Sequence, residues 1–309
     1  MKKVLIFSKG DEVATNEVMM WLQKLPDIEI LRINDEDNLT QLLCKLSIQE
    51  NDIVINCQSI ETFDSIWIYR GQLPKFPIRS KLEQDEFGIM KEYVLRLLEQ
   101  SSNCIGSVLS DLNHNKLIDL QIARNHNLSI PSSWVLTSKE ELTKVFLKLD
   151  GRAIVKPLKN YYTEENDNNL KIYDIFELKS LENIEDDFFP SLVQEKIDKA
   201  FEVRSFFLQE KFYSIAIFSQ LDEETSLSFK NINRNRMNRM VPFNLPETVA
   251  QKLTQIFKVK KLNSGSVDLI YGKDEIFYFL EINPGGQFNW ASEIGNFHIE
   301  KEIANRLSI

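Results

Sequence analysis

Through the first hundred residues, short apolar runs alternate with stretches whose apolar residues recur every three or four positions. The runs at residues 4–8, 28–33 and 52–56 predict strands, and the spacings over 15–24 and 39–49 predict helices. A further apolar stretch at 65–70 leads into a proline-containing turn at 73–77, and 86–100 again has helical spacing. Strand and helix in alternation imply a parallel sheet covered by helices. Polar residues at 100–102 and 110–115 mark the way out of this lobe. A second unit starts with a helix over 116–125 that stops near His126 and Asn127. A strand at 133–136 follows, then a helix from Ser138 to Leu149, in which Ser138 and Glu141 have the spacing of a capping box. After a strand at 152–156 comes a polar loop at 159–169 and a segment at 171–177. The last third is rich in strands, at 191–197, 201–208, 212–219, 265–271 and 276–282, with one helix at 246–259. The expected lobes are 1–112, 113–190 and 191–309.

Composition narrows the classes. No apolar run approaches the roughly 20 residues of a membrane helix, and the first apolar run reads as a strand too short for a signal-peptide core. No membrane partner is expected. Cys44, Cys57 and Cys104 are odd in number and lack CxxC spacing, so neither a disulfide framework nor a zinc cage is expected and a cytoplasmic location fits. The formal net charge is −9, which argues against a nucleic-acid partner. The charge is uneven: residues 164–187 carry nine acids against Lys171 and Lys179, whereas Lys230, Arg234, Arg236 and Arg239 lie in a run without acids. Such a strip fits either a local anionic ligand or a solvated loop face.

The chain has ten glycines, and Gly265, Gly272, Gly285, Gly286 and Gly295 fall in its last 45 residues, where backbone must turn tightly or approach a ligand. Among them, Asp268 sits in one apolar strand, and Glu281 and Asn283, two apart, share a face of another. Carboxylates in such strands are costly unless paired or bound to a cation, and two carboxylates with an amide oxygen suit Mg²⁺. The alternative is a pair of edge charges facing water. Lys156 ends an apolar strand, and Glu202 follows Glu195 by seven residues, with Arg204 two further on. His114, His126 and His298 form no ligand pattern and read as helix-surface residues. Cys57, Trp21, Trp67 and Trp134 read as core, and Trp290 beside the glycine-rich turn as core or groove lining.

The ordered set Asn115-Lys116, Val155-Lys156-Pro157, Gln194-Glu195-Lys196-Ile197 with Glu202, and Asp268 followed by Glu281-Ile282-Asn283-Pro284 resembles the ATP-grasp ligases over residues 113–309. The first lobe fits that family's N-terminal α/β domain. Within the superfamily, Arg204-Ser205-Phe206-Phe207-Leu208, Asn238-Arg239-Met240-Val241-Pro242 and Asn283-Pro284-Gly285-Gly286-Gln287-Phe288 look most like the maturases that macrocyclise ribosomal peptides, the microviridin-type or graspetide enzymes. The resemblance implies an α/β ATP-grasp fold with ATP and Mg²⁺. Lys116 and Lys156 would reach the phosphates, and Glu195 with the backbone of Lys196 and Ile197 would hold adenine. Glu202 would take the ribose, and Asp268, Glu281 and Asn283 the metal. Arg204 and Arg239 would grip the phosphoryl group and the acceptor carboxylate, with Arg234 and Arg236 as candidate substrate contacts. The implied reaction activates Asp or Glu side chains of a precursor peptide, leader plus acidic core, as acyl phosphates and closes ω-ester or ω-amide rings. A homodimer is compatible with this. One departure stands out: where relatives often carry glycines over the phosphates, residues 159–169 have none and contain three acids. A ligase joining a free amine to a carboxylate is the rival reading, and a non-catalytic nucleotide-binding module a second.

Overall fold

The computed structural model describes the chain apart from residues 75, 102, 159–161, 166–168, 173–174, 223–224 and 231–236. The side chains of residues 40, 41, 44, 111, 162–165 and 169–172 are also left aside. Three larger sheets organise the rest. The first is parallel, in the order Ile28–Asn34, Lys2–Ser8, Ser65–Ile68, Cys104–Ile105. Alternation along its central strand divides two cores: Val4 and Ile6 pack with Val18 and Leu22 of helix Val13–Leu22, whereas Leu5 and Phe7 pack with Val94, Leu95 and Leu98 of helix Lys81–Gln100. The latter helix starts five residues before the expected 86, because the Ser80 hydroxyl accepts the Glu83 N–H at 3.1 Å and caps it.

Three expectations fail in this lobe. Instead of one helix over 39–49 there is a four-residue helix, Leu39–Leu42, and then a strand, Leu43–Ser47. That strand pairs antiparallel with Asp52–Ile55, which therefore does not join the parallel sheet, and a two-residue turn leads on to Gln58–Ser59. The turn residues Asn56 and Cys57 both have positive φ, 48° and 60°, the backbone of a tight hairpin. Cys57 is consequently an exposed turn residue and not a core one.

The second sheet is antiparallel, in the order Phe176–Leu178, Ala153–Lys156, Asp187–Glu195, Ser133–Ser138. Helix Lys139–Lys148, capped by Ser138, covers it, and Leu136, Leu142, Val145, Leu149, Ala153 and Val193 form a core of its own. Strand Asp187–Glu195 runs across the expected boundary at 190/191, and its pairing keeps it with this sheet. We therefore propose the division between the second and third lobes at 196–198. Part of the loop expected at 159–169 is a hairpin, Tyr162–Glu165 against Asn169–Ile172, and the rest lies outside the described residues.

The third sheet is antiparallel: Met240–Phe243, Lys211–Ile217, Lys199–Leu208, Ser264–Gly272, Phe277–Asn283. One face buries Val203, Phe207, Val267, Leu269 and Phe279 against helices Lys116–Asn125 and Glu247–Val259. Two helices unforeseen in the sequence, Asn289–Gly295 and Ile299–Leu307, follow the last strand. Through Ile299, Ile303, Ala304 and Leu307 the second of them joins Phe206, Tyr213 and Phe288 of the third lobe to Val4, Ile6 and Trp67 of the first. No helix among the described residues is long and apolar enough to cross a membrane.

Candidate active site

The register of the third sheet sets three charged residues in one row. Arg204 lies opposite Asp268, and Asp268 lies opposite Glu281, on three adjacent strands. Opposed residues of antiparallel strands share a face, so all three side chains stand on the side away from the helices. A bulge follows at once: Leu269 pairs with Phe279, leaving Leu280 as the extra residue. Bulges re-aim neighbouring side chains, and this one returns Phe279 to the helix-covered core while Glu281 stays in the row. Arg204, Asp268 and Glu281 are 8%, 3% and 6% exposed, so none can rely on water to solvate its charge.

Their charges are met by one another and by lysines. Arg204 Nη1 donates to Asp268 Oδ1 at 2.6 Å. Lys230 Nζ sits between the two carboxylates, 3.1 Å from Asp268 Oδ2 and 2.5 Å from Glu281 Oε1. Lys116 Nζ lies 3.3 Å from Glu281 Oε2, and Asn283 Nδ2 is 3.4 Å from both Asp268 Oδ2 and Glu281 Oε1. Burial alone would raise the Glu281 carboxyl, but Lys230, Lys116 and Lys156 outweigh it and hold the group well below the usual carboxylate range. The same balance works in reverse at Lys230, where burial would lower the ammonium and Asp268 and Glu281 raise it instead. Lys156, at the end of its strand, is pulled down to about 8 by burial and by the neighbouring Lys116 and Lys230, against Glu281. Two carboxylates and an amide already arranged around a cation form a donor set that fits Mg²⁺.

Local structure explains how these groups are held. Asn115 Oδ1 accepts the N–H groups of Leu117 and Ile118, at 3.0 and 3.3 Å, starting the helix at Lys116 so that its first side chain reaches Glu281. The turn after Asn283 closes with Gly286 N–H donating to the Asn283 carbonyl. A Cβ on Gly286 would stand 2.5 Å from Ser266 Oγ and 2.9 Å from Arg204 Nη2, so only glycine lets this turn lie against the row. The first lobe closes the far side: Tyr69, stacked on Trp67, holds its hydroxyl 3.5 Å from the Gly286 carbonyl.

The segment joining the second and third sheets is pinned at both ends. Glu195 N–H donates to the Ser132 carbonyl and Lys196 N–H to the Arg152 carbonyl, each at 2.9 Å. Ser132 Oγ donates to Glu195 Oε2 and Lys196 Nζ to Glu177 Oε1. At the start of the next strand, Lys199 Nζ, Ser219 Oγ and the Phe229 N–H converge on Glu202 Oε1, at 2.6, 2.5 and 3.0 Å.

No protein-family model and no curated protein matches the sequence. Solved structures match over the whole chain. A RiPP-associated ATP-grasp ligase from Chryseobacterium gregarium, in complex with ADP and a leader and core peptide, superposes with a TM-score of 0.80 at 20% identity, covering 100% of this chain and 96% of that one. The macrocyclase MdnC of Microcystis aeruginosa MRC, bound with precursor peptide MdnA, gives 0.76 at 20% identity and covers 100% and 99%. D-alanyl-alanine synthetase A of Vibrio cholerae gives 0.60 at 15% identity and covers 99% and 97%. The chain has the ATP-grasp fold.

On this ATP-grasp frame the residues expected from sequence divide into three groups. Lys116, Arg204, Asp268, Glu281 and Asn283 meet in one contact network, with Lys156 close enough to feel its charges. Glu195, Lys196 and Ile197 form the connection between the second and third sheets, and Glu202 follows on the same face as Arg204. Arg239 stands apart from this network: it is exposed and lies over the Phe218 ring, with its guanidinium carbon 5.3 Å from the centroid. Lys230, expected to be one of a strip of surface cations, instead occupies the middle of the site, whereas Arg234 and Arg236 lie outside the described residues. His114 is no helix-surface histidine either, since its Nε2 is 3.0 Å from Oδ2 of the fully buried Asp119. Sequence reasoning missed Lys199 as the partner of Glu202. Three residues apart in a regular strand means opposite faces, and only the register shift between Lys199 and Phe201 brings them together. Tyr69 carried no signal, because its contact is made across lobes.

Proposed function

We propose that this protein is an ATP- and Mg²⁺-dependent ligase that closes rings within a ribosomally made peptide by activating Asp or Glu side chains as acyl phosphates. The observation that carries this reading is the row Arg204, Asp268, Glu281, flanked by Lys116 and Asn283, on the open face of an ATP-grasp sheet. The higher structural similarity to the two peptide ligases than to the dipeptide synthetase supports a peptide as the substrate.

The residues divide the work by their chemistry. Lys116 and Lys156 supply point charges for the phosphates. The Lys196 N–H is taken by Arg152, so the Lys196 carbonyl and Ile197 N–H present the acceptor and donor that an adenine edge requires. Glu195 lines the same connection, and Glu202, with its donors gathered on Oε1, offers its other oxygen to ribose hydroxyls. Asp268, Glu281 and Asn283 would hold Mg²⁺, with Asn283 turning its amide oxygen inward. Bound there, the ion would polarise the transferring phosphoryl group. Arg204, anchored by Asp268, keeps Nη2 directed at the glycine turn, where it can stabilise charge developing on the phosphoryl and acyl oxygens. Arg239, exposed over Phe218, together with Arg234 and Arg236, would meet the acidic core of the peptide.

A carboxylate does not condense with a hydroxyl or amine in water at useful rates. Phosphorylation provides the leaving group, and holding both groups of one peptide makes closure effectively unimolecular. The test is co-expression with short acidic reading frames neighbouring the gene. Each ring should remove one water from the peptide mass, with one ATP converted to ADP and phosphate. An unchanged mass with ATP present rejects ring closure, and a gain equal to an added amino acid or amine establishes the rival ligase.

A further inference from the structure

Next to the carboxylate row, bordering the turn that follows Asn283, lies a pocket of about 180 Å³ lined by Lys9, Asp35, Arg70, Gln72, Pro284 and Gly285 among others. Its charged residues come from the first lobe in a regular way. Lys9, Asp35 and Arg70 each follow the carboxyl end of one of three adjacent parallel strands, Lys2–Ser8, Ile28–Asn34 and Ser65–Ile68. Open parallel sheets bind ligands in the crevice outside those ends. The backbone is fitted to the spot: Arg70 has a left-handed φ of 56°, and a Cβ on the next residue, Gly71, would stand 2.3 Å from the Ser8 nitrogen.

Asp35 brings to this pocket a polar atom without a hydrogen-bond partner. Asp35 is 9% exposed, and its Oδ1 is buried without a hydrogen bond, while its backbone N–H is tied to the Ser8 carbonyl. A buried carboxylate oxygen left unmet costs free energy that a ligand's donor would return. The charged residues lining the pocket are mainly cationic. Lys9 and Arg70 line it against Asp35, and behind them Arg70 pairs with Glu12 at 2.8 Å while Lys91 stands near Asp35, so the lining holds two cations against one anion and has no excess of negative charge. A neutral donor enters such a pocket without bringing an uncompensated charge, whereas an ammonium does bring one.

We propose that this pocket seats the nucleophile of the peptide, and that the nucleophile is a Ser or Thr hydroxyl whose O–H donates to Asp35 Oδ1. The proposal rests on the carboxylate-ligase reading above and selects the ester over the amide. In the step it describes, the hydroxyl oxygen bonds to the acyl carbon of the acyl phosphate and the carbon–oxygen bond to phosphate breaks. The hydroxyl proton passes to the Asp35 carboxylate, inorganic phosphate leaves, and Asp35 then returns its proton to solvent. Burial and the adjacent Glu36 raise the Asp35 carboxyl, which suits a proton acceptor. The pocket and Arg204 share the Asn283–Gly286 turn as a common wall, with Gly285 lining one and Gly286 abutting the other.

The test uses the full-length enzyme, Mg²⁺-ATP and the peptide that passes the co-expression experiment, with hydroxylamine added to compete for the acyl phosphate. Hydroxamate and ring are counted in the same reaction by mass spectrometry. Asp35→Asn should shift the ratio of hydroxamate to ring at least about tenfold towards hydroxamate, since general-base assistance is worth roughly 10² to 10⁴ in rate. A merely structural role would lower both products together, and an unchanged ratio overturns the proposal. A second arm needs no enzyme variant: with the wild-type enzyme, Thr→Ser in the peptide should still close the ring and Thr→Lys should not. A lysine peptide that closes as readily as the threonine peptide overturns the hydroxyl assignment. If the wild-type enzyme yields neither hydroxamate nor ADP, the carboxylate-ligase reading itself fails and this inference falls with it.

Discussion

At the scale of single residues, the site is a set of charges that stabilise one another until a ligand replaces one of them. Glu281 touches both Lys230 and Lys116, so Glu281→Gln removes one charge at nearly constant shape. Turnover should fall by at least about 10² while circular dichroism stays that of a folded protein, and normal ATP consumption by this variant would exclude Glu281 from the metal site. Lys230 is the cation that a metal bound as proposed would have to displace from Asp268 and Glu281. Lys230→Met should therefore bind Mn²⁺ more tightly in the absence of nucleotide, by about tenfold, read from the paramagnetic spectrum of free Mn²⁺. Weaker Mn²⁺ binding would mean that Lys230 supports the carboxylates instead of competing for them. Lys156, held at about 8, gives the pH dependence. Its ammonium is present below that value and lost above it, so affinity for ADP should be level below pH 8 and fall by up to about tenfold per unit above it. Lys156→Met should bind more weakly throughout and lack this fall, and a wild-type profile level up to pH 9.5 would remove Lys156 from the phosphate site.

At the scale of elements, the last helix connects the lobes. Ile299–Leu307 buries Ile303 and Leu307 among residues of both the first strand and the third sheet, so it fixes the floor on which the Gly286 turn and Tyr69 meet. Ile303→Ala should cost about 2–4 kcal/mol, seen as a lower urea midpoint at unchanged slope. A change in slope would show instead that the lobes unfold separately. Strand Lys199–Leu208 matters equally, because it has neighbours on both sides and carries Glu202 and Arg204 on one face while Val203 and Phe207 enter the core on the other. That alternation is what allows one strand to serve both site and core.

At the scale of the molecule, the second sheet has its own core and meets the third through residues 195–198, so a nucleotide bound as proposed would join two bodies. ADP with Mg²⁺ should slow amide exchange in Ala153–Lys156 and at residues 195–198 and leave Ile28–Asn34 unchanged. Uniform slowing through all three sheets would argue for a global effect. Some of this organisation was legible in the sequence alone. Four of the five strands of the third sheet, the helix starts at Ser138 and Asn115, and the placing of Glu281 with Asn283 on one face all follow from local periodicity and local hydrogen bonding, whereas the edge strand Met240–Phe243 was not foreseen. Leu39–Ser47 was misread because a short apolar stretch suits helix or strand equally until a partner such as Asp52–Ile55 claims it. The last helix shows helical spacing in Ile299, Ile303 and Leu307, a signal that was present and passed over. Lys230 between the carboxylates, Lys199 on Glu202, the exposure of Arg239 and the Asp35 pocket were decided by tertiary structure alone. Sequence determines which residues alternate and where a helix begins, because those depend on neighbours a few positions away. Which cation meets which carboxylate depends on register, bulges and the meeting of lobes, and these arise only when segments hundreds of residues apart are packed together.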